Sequence, residues 1–191
     1  MTDPERIRLF VAARIPSDRL DAVAALVEDL RDKLSNARWT PPANQHLTLK
    51  FLGSTPVDRL GAIEKVCTMV ASSHAPARMS LTDLGAFPSR TRIRVLWIGV
   101  DDPAGLLAAV AGDLDRSFES LGFPSEGRAY QPHLTLARFK MPIPLKSGFP
   151  SVDTTGIEPF DVNEIVLYRS HVSPKGARYE VLCAFPLGST R

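Results

Sequence analysis

HLTLKF at His46–Phe51 and HLTLAR at His133–Arg138 decide how this sequence is read. In a strand, residues i and i+2 share a face. His46 therefore projects with Thr48 and His133 with Thr135, while Leu47, Leu49, Leu134 and Leu136 turn to the opposite side. Each copy predicts a strand anchored in a core by its leucines and presenting an imidazole beside a hydroxyl. A lone His on a strand is ordinarily structural or solvated. Two full copies differ from that case: with 4 His in 191 residues, chance gives roughly 0.2 His-x-Thr triplets. The recurrence suggests two similar lobes facing one another.

Working outward, Ile7 to Ala13 has β character and ends before Pro16. Ser17 is placed to cap a helix with Leu20, Val23, Val27, Leu30 and Leu34 at helical spacing. Gln45 to Leu52 reads as a strand stopped by Gly53, and Thr55-Pro56 as the start of a helix burying Leu60, Ile63, Val66, Cys67 and Val70. Met79 to Leu84 and Ile93 to Val100 read as strands, and Asp102-Pro103 opens a helix that Gly122 ends. Further strands are expected near 133–139, 162–168 and 179–185, with a Pro/Gly/Ser-rich loop at 141–159. Without regular βαβ alternation, this predicts an α+β fold of mainly antiparallel sheets flanked by helices. The expected unit is one two-lobed domain over residues 1–191.

The composition is that of a globular chain: 44% hydrophobic, 23% charged, net charge +2. That charge does not announce a nucleic-acid binder, though it allows a local basic groove. No apolar run approaches the ~20 residues of a membrane span, and the N-terminus lacks a signal-peptide layout. A cytoplasmic protein, not membrane-bound, is expected, with Cys67 and Cys183 as buried free thiols.

Two histidines suit in-line displacement at phosphorus, which needs a base on one side and an acid on the other. The two threonine hydroxyls can donate to the oxygens that gather negative charge. Arg138 lies on the other face by strict alternation, yet suits a phosphate if the strand twists or ends there. A catalytic zinc needs three protein ligands, and neither motif has an acidic or sulfur ligand on its His/Thr face. His74 and His171 are read as solvated. Phe10 and Tyr130 are candidates to stack a base, Phe10 being more readily core. Arg90, Arg92 and Arg94 form either a basic stripe or a solvated strand end, and Arg128 is a comparable candidate.

At these residues the sequence resembles the two-histidine phosphoesterase superfamily, and within it the RNA 2′,3′-cyclic phosphodiesterases, also called 2′-5′ RNA ligase-like proteins. The likeness runs through RLFVAARIP at Arg8–Pro16, NQHLTLKFLG at Asn44–Gly53, GAFPSRTRIRVLWIGV at Gly85–Val100, PHLTLARF at Pro132–Phe139 and VLYRSHVSPKGARYEVL at Val166–Leu182. The resemblance implies a bilobal, pseudo-twofold fold around a positively charged cleft. It implies His46 as proton donor, His133 as proton acceptor, and Thr48, Thr135 and Arg138 as phosphate contacts. No cofactor is implied, and a monomer is expected. The implied reaction opens a 2′,3′-cyclic phosphate at an RNA end to a 2′-phosphomonoester, with joining of 2′-5′ RNA ends as its reverse. Two other readings keep the scaffold: a phosphodiesterase of small cyclic nucleotides, and a non-catalytic RNA-binding module.

Overall fold

The computed structural model describes residues 5–34, 36–144, 149–174 and 176–188. The first lobe is built on β1 (Arg6–Ala13) and β3 (Leu47–Pro56), paired antiparallel with Arg6 opposite Pro56 and Ala13 opposite Leu47. β8 (Glu164–Ser173) pairs with the other side of β1, and β9 (Gly176–Pro186) pairs with β8. The second lobe contains β4 (Ala77–Ser89), β5 (Arg92–Asp101) and β6 (His133–Ile143), all antiparallel. β7 (Phe160–Val162) extends its outer edge, and the two-residue β2 (Arg38–Trp39) lies against β6. In the close approach of β4 to β5, a Cβ on Gly85 would overlap the ring of Trp97 opposite it. The indole takes the space that only glycine leaves.

The lobes meet where the two motif strands run antiparallel, through the single recorded residue pair Leu47–Leu134. Both leucines are fully buried. Opposed residues of an antiparallel pair share a face. A pairing centred on these leucines therefore sets His46 across from Thr135 and Thr48 across from His133. The pseudo-twofold axis passes between the leucines, and the two expected sheets form one curled, nine-stranded sheet, eight of its strands in a continuous path and β2 beside β6 off it. The architecture is α+β.

Four helices back this path: α1 (Ser17–Leu26), α2 (Glu28–Lys33), α3 (Leu60–Ser72) and α4 (Leu106–Ser120). Ile63, Cys67 and Val70 of α3, with Leu107, Val110, Leu114 and Phe118 of α4, join the leucines of both motifs in one apolar cluster. Burial of each large side chain contributes about 1.5–3 kcal/mol. No helix among the described residues is long and apolar enough to cross a membrane.

Several local expectations are corrected. Ser17 is the first helical residue and makes no cap; Pro16 occupies the cap position. The strand does not stop at Gly53. This glycine adopts φ +69°, and β3 continues beyond it to pair Ser54, Thr55 and Pro56 with β1. Thr55 is buried in that strand, its hydroxyl donating to the Gly53 carbonyl. The helix does start here, but with Pro56 at the cap position instead of Thr55: a 3₁₀ turn at Val57–Arg59 leads into the α-helix at Leu60. Asp102 does govern the start of α4, its carboxylate accepting from the amides of Leu106 and Leu107. Residues 141–143 belong to β6 rather than to the following loop, of which 145–148 lie outside the described residues.

Candidate active site

His46 and His133 are held in the same way. The Nδ1 of His46 lies 2.8 Å from the carbonyl oxygen of Asn44, and the Nδ1 of His133 lies 2.8 Å from that of Gln131. A carbonyl only accepts, so each Nδ1 carries the proton and donates it. Each ring thus keeps Nε2 for chemistry: an acceptor when the ring is neutral, a donor when it is charged.

Both motif strands carry a β-bulge at the same place. Val11 and Ala12 of β1 pair with Lys50 and Thr48, leaving Leu49 as the extra residue. Leu96 and Trp97 of β5 pair with Ala137 and Thr135, leaving Leu136 extra. Such a bulge shifts the alternation by one. The burial of the two strands follows suit, with the residue five places after each histidine exposed on the motif face. In the second strand this residue is Arg138, which strict alternation puts on the other side; the bulge returns it to the face of His133 and Thr135. In the first strand the equivalent residue is Phe51. The site is therefore symmetric in His and Thr and asymmetric at this third position, a guanidinium against a phenyl ring.

The rings around each histidine differ. His46 stacks on Phe10 at 4.7 Å between centroids, with Tyr179 edge-on at 5.2 Å. Phe10 is itself stacked on Tyr168. Phe10 is buried, as a core residue would be, yet it lies outside the main apolar cluster and forms the floor beneath His46. His133 has Phe87 edge-on at 5.1 Å and Trp97 at 5.9 Å. Burial lowers the pKa of His46 to about 4, helped by the charges of Arg138 and His133 and opposed by the bond to the Asn44 carbonyl. Burial also lowers that of His133, with Arg138 acting the same way and the Gln131 carbonyl opposing.

Two cavities flank the motif strands and share Thr48 and Phe51. One, of about 340 Å³, is lined by His46, Thr135, Arg138, Phe10, Arg8 and Tyr179. The other, of about 670 Å³, is lined by His133, Tyr130, Arg128 and Phe87 among others. Tyr130 donates its hydroxyl to the Thr48 carbonyl, and burial pushes its pKa up. Arg90, Arg92 and Arg94 line neither cavity; Arg90 lies over the Phe149 ring and donates to the Leu84 carbonyl. His74 stands just past the end of α3, as a helix-end residue, but is paired with Asp113 instead of solvated, and His171 sits in β8 paired with Glu180. Cys67 is buried, its thiol pKa pushed up to about 12, and Cys183 is half-buried. Among the described residues, no group of three or more His, Cys, Asp or Glu is placed to hold a metal ion.

The sequence reading missed Phe51, Tyr168, Tyr179, Phe87 and Trp97 around the histidines. Phe51 carried a signal in hindsight, since it stands where Arg138 stands in the other copy. The rest reach the site through pairings distant in sequence.

A family model described as "LigT like Phosphoesterase" matches the chain twice in succession, over residues 14–97 and 98–179. Each match contains one motif. The RNA 2′,3′-cyclic phosphodiesterase of Geobacillus stearothermophilus is 33% identical over 190 residues, covering 96% of this chain; the chain spans 58% of that relative's length. The protein of the same name from Methanothermobacter thermautotrophicus is 30% identical over 185 residues, covering 95% of this chain and 100% of the relative. Among solved structures, TT0787 of Thermus thermophilus superposes with a TM-score of 0.83 at 29% identity, covering 97% of this chain and 100% of that one. With both halves matched and both motif strands in register about one axis, the chain belongs to the LigT-like phosphoesterase family.

Proposed function

We propose that this protein is a phosphodiesterase that opens the 2′,3′-cyclic phosphate at an RNA end to a 2′-phosphomonoester. The observation that carries this reading is the pair of imidazoles whose Nδ1 atoms are both occupied by carbonyls, each set opposite the other's threonine on the paired motif strands. His133, neutral, takes a proton from water as the water oxygen attacks phosphorus. The bond from phosphorus to the 3′ oxygen breaks on the opposite side, and His46, protonated, gives its proton to that oxygen. Thr48 and Thr135 donate to the non-bridging oxygens, and Arg138 balances their charge. Arg128 and Tyr130 line the His133 side, where they are placed to contact the RNA. The scheme uses no cofactor. Run in the same direction with a 5′-hydroxyl in place of water as the attacking group, it forms a 2′-5′ phosphodiester and frees the 3′-hydroxyl, joining RNA ends. We further infer a monomer acting as a single two-lobed unit over residues 1–191, with the cytoplasm as its compartment.

Phosphorus NMR of the product from a cyclic-phosphate-ended dinucleotide tests the orientation. A 2′-phosphate with a free 3′-hydroxyl is expected. A predominantly 3′-phosphate product would reverse the assigned roles.

The pH dependence follows from the lowered pKa values. In the free enzyme, His133 becomes competent as pH rises through a value below 6.5, whereas His46 loses its proton as pH rises through about 4. The profile of kcat/KM is therefore bell-shaped with its maximum on the acid side of 6.5. A bound phosphate anion favours the charged imidazole, so the falling limb of kcat lies at higher pH than that of kcat/KM. Profiles of both quantities check this, and a kcat/KM maximum above pH 7 would contradict it.

A further inference from the structure

We propose that the ion pair of buried Lys50 with half-buried Asp115 is a positioning device for His133, fixing the connection between α4 and β6 so that the Gln131 carbonyl meets the Nδ1 of that ring. The inference rests on the reading of His133 as proton acceptor.

Strict alternation from His46 and Thr48 would put Lys50 in the cleft beside the phosphate. The bulge at Leu49 turns it inward instead, and it is only 1% exposed. At the matching place in the second motif stands Ala137, so a motif strand of this form does not need a cation there. A buried ammonium is costly unless paired and fully hydrogen-bonded. Lys50 is paired and hydrogen-bonded: its Nζ donates to Oδ1 of Asp115 on α4 and, at 2.7 Å, to the carbonyl of Pro124.

An apolar pair of similar size would hold strand against helix as well, since such replacements are often neutral for stability. It would not hold the connection. Besides Lys50, the Asp115 carboxylate accepts from the Ser125 hydroxyl at 2.6 Å and the Glu126 amide at 3.0 Å. Burial raises the Asp115 pKa, but these donors outweigh it and keep the group a carboxylate. The connection has neither helix nor strand over residues 123–132. Its far end is fastened by the Tyr130 hydroxyl on the Thr48 carbonyl and by His133 on the Gln131 carbonyl. The fastenings at Lys50 and Thr48 both start from β3, and Arg59 just beyond that strand lies over the Phe123 ring. The carbonyl that selects the His133 tautomer is thus placed by the strand carrying the other motif. The same connection, through Arg128, Tyr130 and Gln131, walls the His133-side cavity.

The test combines kinetics with nitrogen NMR of labelled imidazoles. Lys50→Met is expected to lower kcat on adenosine 2′,3′-cyclic phosphate about ten- to hundredfold, in keeping with the cost of a misplaced group, with KM within about threefold. The His133 signals should move away from the pure Nδ1–H tautomer while those of His46, held by Asn44, stay in place. Lys50→Met/Asp115→Leu, which substitutes apolar packing for the pair, carries the same expectation if the single variant fails to fold. A folded double variant with kcat within about threefold of the parent and unmoved His133 signals would overturn the proposal. Parallel movement of both histidines would overturn it too, since that marks general loosening. If His133→Ala instead kept near-native turnover, the acid–base reading would fail, whereas the tautomer shift reads positioning by itself.

Discussion

Replacing either His46 or His133 by alanine is expected to lower turnover of cyclic-phosphate-ended RNA by at least about a hundredfold, since general acid or base catalysis is typically worth 10²–10⁴ in rate, or about 3–5 kcal/mol of barrier. The two losses should not add in the double variant. Once one proton transfer is lost, the remaining histidine assists a displacement that is no longer concerted with its partner. Both variants should fold, because neither imidazole belongs to the central apolar cluster. Circular dichroism with steady-state kinetics separates the cases. A folded variant with near-native turnover would sink the paired-histidine scheme.

Thr48→Val and Thr135→Val should each lower kcat about ten- to a hundredfold. Valine keeps the β-branched shape that suits a strand and removes only the hydroxyl. A hydrogen bond to a charged group is worth about 1.5–3 kcal/mol, which converts to that range of rate. The loss should appear mainly in kcat, since charge on the non-bridging oxygens peaks in the transition state. At Thr48 the carbonyl that accepts from Tyr130 is untouched, so the wall of the second cavity stays in place. Equal kcat with raised KM would mean that the hydroxyls bind ground state and transition state alike.

The histidines and threonines were legible because period-two alternation is local and the flanking leucines marked the buried side. What the pattern hid were the bulges. Nothing in Thr48-Leu49-Lys50 or Thr135-Leu136-Ala137 announces an extra residue, and the bulge arises from pairing with β1 and β5. Alternation therefore misplaced Arg138 and would have misplaced Lys50. At Thr55-Pro56 the local helix-start signal held to within a residue, Pro56 taking the cap position because Thr55 is paired with Ile7 in the sheet. Phe10 read as core because it is apolar and buried, and burial alone does not distinguish the floor of a cleft from the interior of a sheet. Tyr168 and Tyr179 are more than a hundred residues from His46, and no periodicity links them to it.

The strand order has a bearing on how the molecule comes into being. The lobe holding His46 takes β1 and β3 from the start of the sequence, but its other two strands, β8 and β9, are made only after the whole second lobe. Pairings of such long range are slow to form because the intervening loop must first be closed. A nascent polypeptide halted before Glu164 exposes one unpaired side of β1 and lacks both tyrosines packed around His46. The second lobe can assemble β4, β5 and β6 from contiguous sequence, so it is the natural first unit to fold during synthesis. The half of the site that holds His46 is consequently the last to mature, since the rings of Tyr168 and Tyr179 reach that histidine only when β8 and β9 have been added.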